Sequence, residues 1–290
     1  LPDENRMINA WTDYEEYVSR NSWFMRSQIL PGNTWRMLQA DENGGVVTID
    51  EERFYHFRYE LQDLYGNKRT YSFKVKGKQT PITPVDKSDK HYFHWNRGNV
   101  LLEPGMLLVV YRGMLYDDVK LNAKVLTDSL GISYTYQLND KPVPLHAGCP
   151  LSIGIRQYPV DDMSKYYVAR LYKGRKSSMG GTYKNGYMTT SIRELGTYTV
   201  ALDTIAPKVV PLNKPQWKTG NIRFKIRDAE TGIKNYKVYI DGEFVLFKFS
   251  SKNATLSCID PKRIKKGKGH RMQVLVSDNC GNETREEYQF

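Results

Sequence analysis

One five-residue pattern, Asp-x-x-Gly-Asn, occurs twice in this chain, as Asp63-Leu64-Tyr65-Gly66-Asn67 and as Asp278-Asn279-Cys280-Gly281-Asn282. Asp and Asn side chains fold back on the local backbone, and glycine takes the positive φ that a tight turn needs. A polar stretch with aromatic or apolar residues follows each copy, Thr70 to Val75 and Arg285 to Phe290. The pattern predicts a hairpin turn feeding a last strand. Two copies, one near residue 65 and one at the chain end, predict two similar domains separated by something else. The expected fold class is all-β: tandem β-sandwiches, the first and last immunoglobulin-like and the middle one a separate β-sandwich.

At 290 residues the chain has room for two or three domains whose cores need no disulfide or metal staple. Its 21 Tyr, 10 Phe and 5 Trp favour strands. No run approaches the roughly 18 apolar residues of a membrane span. The chain opens on Leu1 rather than Met, without a legible signal peptide, and so reads as a processed or truncated product with its upstream part removed. The net charge of +11 comes from 43 basic and 32 acidic residues, a balance that can mean an anionic partner. Most of these charges are scattered along the strands, and no nucleic-acid partner is expected. The one dense run, Lys262 to Arg271, reads as a solvated loop between two strands, with contact to an anionic surface as the sharper alternative. Cys149, Cys258 and Cys280 are too far apart for a C-x-x-C motif. Cys258 and Cys280 share the last domain and could pair if neighbouring strands join them; free buried thiols are the other reading.

Along the chain, 1–80 reads as an immunoglobulin-like sandwich lacking its first strands. Strands are expected at Ser22–Arg26, Thr34–Leu38, Val46–Ile49 and Phe54–Leu61, the last alternating at period two. A short helix is expected over Thr12–Val18 with Thr12 or Asp13 as its cap. An immunoglobulin-type sandwich takes about 100 residues and seven strands, so an open sheet edge is expected here. Residues 81–90 read as a linker. A central sandwich follows over 91–202, with strands at Leu107–Tyr111, Gly131–Leu138, Leu151–Ile155, Tyr166–Tyr172 and Gly196–Leu202. The remainder, 203–290, suits a seven-stranded immunoglobulin-like domain. Its strands include Asn221–Ile226 and Tyr236–Ile240, and Asp241-Gly242 is a strong two-residue hairpin signal.

Chemistry-bearing residues are sparse. His91 and His94 form the only close histidine pair, and on a strand residues three apart face opposite ways. A zinc site needs three or four converging ligands, and no neighbouring Cys, Asp or Glu completes one. No G-x-S-x-G, Walker, H-E-x-x-H or G-x-G-x-x-G pattern occurs. Asp117-Asp118 and Asp161-Asp162 read as turn residues. Asp228, Glu230 and Asp278 could gather around a cation, but turn capping is the stronger reading. Trp11, Trp23, Trp35, Trp95 and Trp217 are spread over all three segments; core packing explains most of them, and a carbohydrate platform is the alternative. The expectation is no catalytic, cofactor-binding or metal-ligating residue within this chain.

Several longer runs carry a resemblance. They include Asp13-Tyr14-Glu15-Glu16-Tyr17, Phe24-Met25-Arg26-Ser27, Ile29-Leu30-Pro31-Gly32-Asn33 and Leu61 to Asn67. Gly113 to Asp118, Pro142 to His146, Ile192 to Val200 and Glu230 to Lys234 continue it. Over nearly its whole length the chain resembles the non-catalytic region downstream of the catalytic domain in secreted lysostaphin-like zinc metalloendopeptidases. These are the peptidoglycan peptidases of Gram-negative gut-type bacteria. Their zinc is held by H-x(3 or 4)-D and a later H-x-H, and neither occurs here. His56 is followed by Phe-Arg-Tyr-Glu, His146 by Ala-Gly-Cys-Pro, and His91-Tyr-Phe-His has the wrong spacing. The resemblance implies a peptidase domain upstream of Leu1 that holds the zinc, export to the periplasm or cell surface, and cell-wall cross-links as the substrate of the longer protein. The implied partners are that domain and a cell-wall or envelope polymer. An envelope adhesin or glycan-binding sandwich protein is the alternative, and a hydrolase acting through this chain alone ranks third.

Overall fold

The computed structural model describes residues 9–81, 83–127, 131–265 and 267–290. Ile82 of the expected linker and Lys266 of the basic run lie outside the described residues. The chain forms two compact units, Leu1–Tyr92 and Phe93–Phe290. The expected linker therefore falls within the first unit, and the two later sandwiches together make up the second. The fold is all-β, built from separate antiparallel sheets. Among the described residues no helix is long and apolar enough to cross a membrane.

The first unit carries one ribbon, β1 (Phe54–Gln62) paired with β2 (Lys68–Lys76), in the register Phe57↔Phe73 and Tyr59↔Tyr71. Among the described residues no further strand pairs with this ribbon. Three expected strands are absent. Residues 22–26, 34–38 and 46–49 are turns and loops, save for one bridge between Thr12 and Met25. Turn carbonyls and a few local side chains take backbone N–H groups around these stretches in place of a ladder. Asp41 Oδ1 accepts the N–H of Asn43 and Gly45, and Asn33 Oδ1 accepts that of Trp35. The short helix forms at Tyr14–Arg20 with Asp13 as its cap, accepting the Glu16 N–H at 3.2 Å.

The central sandwich follows, with β3 (Tyr92–Phe93), β4 (Asn99–Glu103), β5 (Met106–Val110), β6 (Val119–Lys120), β7 (Lys124–Leu126), β8 (Thr135–Gln137) and β9 (Val143–Gly154). It continues with β10 (Tyr166–Tyr172), β11 (Arg175–Ser178), β12 (Thr182–Lys184), β13 (Tyr187–Leu195) and β14 (Thr197–Leu202). Ten of these strands form two five-stranded sheets, in the orders β11-β10-β14-β8-β7 and β12-β13-β9-β5-β4. Alternation along each strand sends one side inward. Leu108, Leu151, Ile153 and Ile192 from one sheet meet Tyr136, Val168, Tyr198 and Val200 from the other, all buried.

The last sandwich contains β15 (Lys208–Leu212), β16 (Arg223–Arg227), β17 (Ile233–Ile240), β18 (Glu243–Val245), β19 (Phe247–Ser250), β20 (Thr255–Cys258), β21 (Arg271–Asp278) and β22 (Glu283–Gln289). Its sheets run β15-β16-β20-β19 and β18-β17-β21-β22. This is the immunoglobulin order, with one strand more than the seven expected. The extra strand, β18, arises because the Asp241-Gly242 turn closes a tight hairpin with positive φ at both residues, 53° and 87°. Trp217 fills the centre at 1% exposure, its ring 5.2 Å from Phe224 and 5.4 Å from Tyr288, with its Nε1–H donated to Leu212 O at 2.8 Å.

Trp217→Ala is expected to cost this sandwich about 3–5 kcal/mol through lost burial and the cavity left behind. Urea unfolding followed by circular dichroism measures it, and Trp217→Phe should recover most of the loss. A near-neutral Trp217→Ala would remove the indole from the core account.

Candidate functional site

Asp278 ends β21 at 0% exposure. Its Oδ1 accepts the N–H groups of Cys280 and Asn282, both at 2.9 Å, and its Oδ2 accepts the Asn282 amide at 2.7 Å. Gly281 takes φ 75°, which lets the chain return along β22. The same Asn282 amide donates to Asp203 O at 3.0 Å, which ties the turn to the segment entering the last sandwich. Asp203 in turn donates its N–H to Lys165 O at 2.9 Å and accepts the Thr231 hydroxyl at 2.6 Å. One carboxylate from the turn thus reaches the joint between the two sandwiches of the second unit.

Asp228 supplies the third carboxylate. Its Oδ2 accepts three backbone N–H groups, from Glu230 at 3.0 Å and from Thr231 and Gly232 at 2.7 Å. One carboxylate oxygen each from Asp203, Asp228 and Asp278 lies within 4.8 Å of the others. Oxygens gathered in this way are the ligand type that hard cations take. All three side chains, however, are already engaged as acceptors that hold turns and the joint, the capping role favoured from the sequence.

The sequence grouped Glu230 with Asp228 and Asp278, but Glu230 departs from that group. Its Oε2 accepts the Tyr167 hydroxyl at 2.6 Å and pairs with Lys176 Nζ at 2.6 Å, both on the central sandwich. Burial would raise the Glu230 carboxyl, but the hydrogen bonds from Lys176 and Tyr167 outweigh it and hold the group below its usual value. Burial, followed by the bond to Glu230, raises the Tyr167 phenol. Lys165 Nζ donates to Cys280 O at 3.0 Å, and Tyr167, Ala169, Ala201 and Cys280 form a small apolar cluster beside it. Asp203, Tyr167 and Lys176 escaped sequence reasoning. Asp203 alone had a signal, since it opens the segment leading into the last domain.

The other sequence candidates disperse. His91 lies 3.5 Å from Asp89, and His94 lies 3.4 Å from Asp118. Asp118 also accepts the Trp95 N–H at 3.1 Å, and Asp162 caps a short 3-10 turn through Ser164 N. His56 is exposed on β1. Trp23 is 56% exposed, unlike the buried Trp217. All three cysteines are free, and burial pushes the Cys280 thiol up to about 11. The basic run is anchored at two points. Ile264 is buried, and buried His270 contacts Asp241 Oδ2 at 2.6 Å and Lys265 O at 2.9 Å.

Against known families, residues 90–203 match a Zu5-like domain. The central sandwich is similar to that domain. The match covers under half of the chain and closes on Asp203, the residue at the joint. No curated protein matches the chain. The Zu5-like stretch therefore spans one self-contained sandwich, and the carboxylate cluster begins where it ends.

Asp278→Ala is expected to destabilise the last sandwich by roughly 2–4 kcal/mol, because buried N–H donors lose their acceptor. Asp63→Ala, at an exposed turn, should cost distinctly less, and denaturant titration of both variants compares them. Acid should loosen the joint as well. The depressed Glu230 value means that its contribution is present above 4.5, the ordinary glutamate value, and is lost as pH falls through the lower folded value. Small-angle scattering with falling pH should show only a modest widening in the relative orientation of the two sandwiches, because the pair is a secondary element of the joint. Glu230→Gln should bring that change to neutral pH.

Proposed function

We propose that this chain is the non-catalytic scaffold of a cell-wall zinc endopeptidase whose metal centre belongs to polypeptide upstream of Leu1. The observation that carries this reading is the occupation of the acidic cluster. Asp203, Asp228 and Asp278 are all engaged in capping and joining, and the cluster contains neither His nor Cys. Zinc peptidase sites keep a position open for water on a set that includes histidine. The motif resemblance described above supplies the identity of the upstream domain. A hydrogen-bonded joint between two filled sandwiches suits a part that holds another domain at a fixed reach from the wall. The scaffold acts outside the cytoplasm, and its partners are the peptidase domain and an anionic wall or envelope polymer attracted by the +11 charge.

One feature favours a second reading, an envelope adhesin or glycan-binding module. Tyr158, Tyr183 and Tyr187 present half-exposed rings on the central sandwich, and Arg156 lies 4.0 Å over Tyr134. Aromatic faces of this kind can receive sugars. The experiment that separates the readings uses the polypeptide extended upstream of Leu1. It is expected to bind zinc and cut purified sacculi, while residues 1–290 alone do neither. An extended polypeptide without zinc or turnover, together with direct sacculus binding by residues 1–290, would favour the adhesin.

A further inference from the structure

His270 sits where the basic run enters β21, with only 4% of its side chain exposed. Both of its ring nitrogens meet oxygen acceptors. Nδ1 lies 2.6 Å from Asp241 Oδ2 in the turn between β17 and β18, and Nε2 lies 2.9 Å from Lys265 O. A carboxylate and a backbone carbonyl only accept, so both nitrogens must donate, and only the imidazolium carries two N–H groups. The Asp241 carboxyl is held below its usual value, first by the Arg271 N–H and then by His270 itself, which keeps it an acceptor.

The partners are fixed in place. His270 N donates to Phe290 O at 2.9 Å, and Phe290 N donates back to His270 O at 3.1 Å. Asp241 Oδ1 accepts the Arg271 N–H at 2.9 Å, and Asp241 N donates to Arg271 O at 2.8 Å. Other charged groups stand close by. Glu243 of β18, together with Lys265 and Lys268 of the run, lines a cleft of about 410 Å³ that His270 and Asp241 also line. Arg271, next along β21, donates its guanidinium to Glu287 at 2.7 Å, and the Phe290 ring lies 5.3 Å from the imidazole.

We infer that His270 is a proton-operated latch, which fastens the basic run at Lys265 to the β17–β18 turn while charged and releases it when neutral. Release has a direction. A neutral ring keeps one N–H, and the charged Asp241 holds it at Nδ1 more strongly than a carbonyl would at Nε2. Nε2 then turns a lone pair toward Lys265 O, and that contact becomes repulsive. The run loses its fastening at Lys265 but keeps the one at Ile264, which stays buried in the core. Lys262 and Lys265 are exposed on this stretch, so the latch sets where their charges are held. The bond to Asp241, then the bond to Lys265 O, raise His270 above its ordinary 6.5 against the opposing effect of burial. A raised folded value means that the latch is fully present below 6.5 and is lost as pH rises through the higher folded value.

Nuclear magnetic resonance of residues 1–290 with ¹⁵N-labelled histidine and backbone tests it. His270 should carry a proton on each ring nitrogen at pH 6.5 and titrate with a midpoint above that value. The ¹⁵N order parameter of Lys265 should fall through the same midpoint, while that of Arg271 stays constant. Asp241→Asn keeps an oxygen for the Arg271 N–H but removes the charge, and should lower the proton affinity of His270 at least about tenfold. A single ring proton at pH 6.5, a midpoint at or below 6.5, or a Lys265 order parameter that ignores the titration overturns the latch. So does an unchanged midpoint in Asp241→Asn. If that variant does not fold, the titration of the unaltered chain decides alone.

Discussion

The Asp278 carboxylate is the constraint on which the second unit depends. A buried acceptor of this kind must find donors, and it finds them in the two N–H groups and one amide of its own turn. That requirement sets the positive φ at Gly281, and the turn sets the register of β21 against β22. The same geometry presents Cys280 O to Lys165 and carries the Asn282 amide to Asp203 O. Local turn chemistry thereby becomes the contact surface between two domains.

The first hairpin contains the same turn without the same surroundings. Its five hydrogen bonds are local, so the turn forms wherever Asp63 and Asn67 meet water or protein. Burial separates the two copies. Hydrophobic cover contributes roughly 25 cal/mol per Å² of apolar surface, and the exposed Tyr59 and Leu61 of this ribbon forgo much of it. Tyr59 and Leu61 repeat a core pattern but stay exposed, although Tyr55 on the same face is buried. Sequence alternation and turn chemistry therefore specify a sheet half independently of its partner.

This difference also explains how much could be read from the residues alone. Tyr166–Tyr172, rich in aromatic and β-branched residues, forms β10 with those bounds, and Asp241-Gly242 closes the hairpin that its residue types demand. Such signals are local. Residues 22–49 mimic strands in composition, yet their backbone bonds within turns and to Asp41 and Asn33, as at Trp35, Asn43 and Gly45, rather than along a ladder. The cluster was half legible. Asp228 and Asp278 announce themselves as turn residues, whereas the choice of Asp203 over Glu230 is made by the packing of one sandwich on another. No period or spacing encodes that choice.

The composition of the joint determines what it resists. Its charged element, Glu230 with Lys176, is partly exposed, so salt screens it and its net contribution is small. Its remaining elements are less sensitive to salt. Ala169 and Ala201 allow close approach, Cys280 and the Tyr167 ring close the gap, and the Thr231 hydroxyl meets Asp203 in a buried hydrogen bond. Short side chains lose little conformational freedom on packing. The sandwich orientation is therefore held mainly by shape and buried hydrogen bonds, with the ion pair a secondary element that acid removes and salt only weakens.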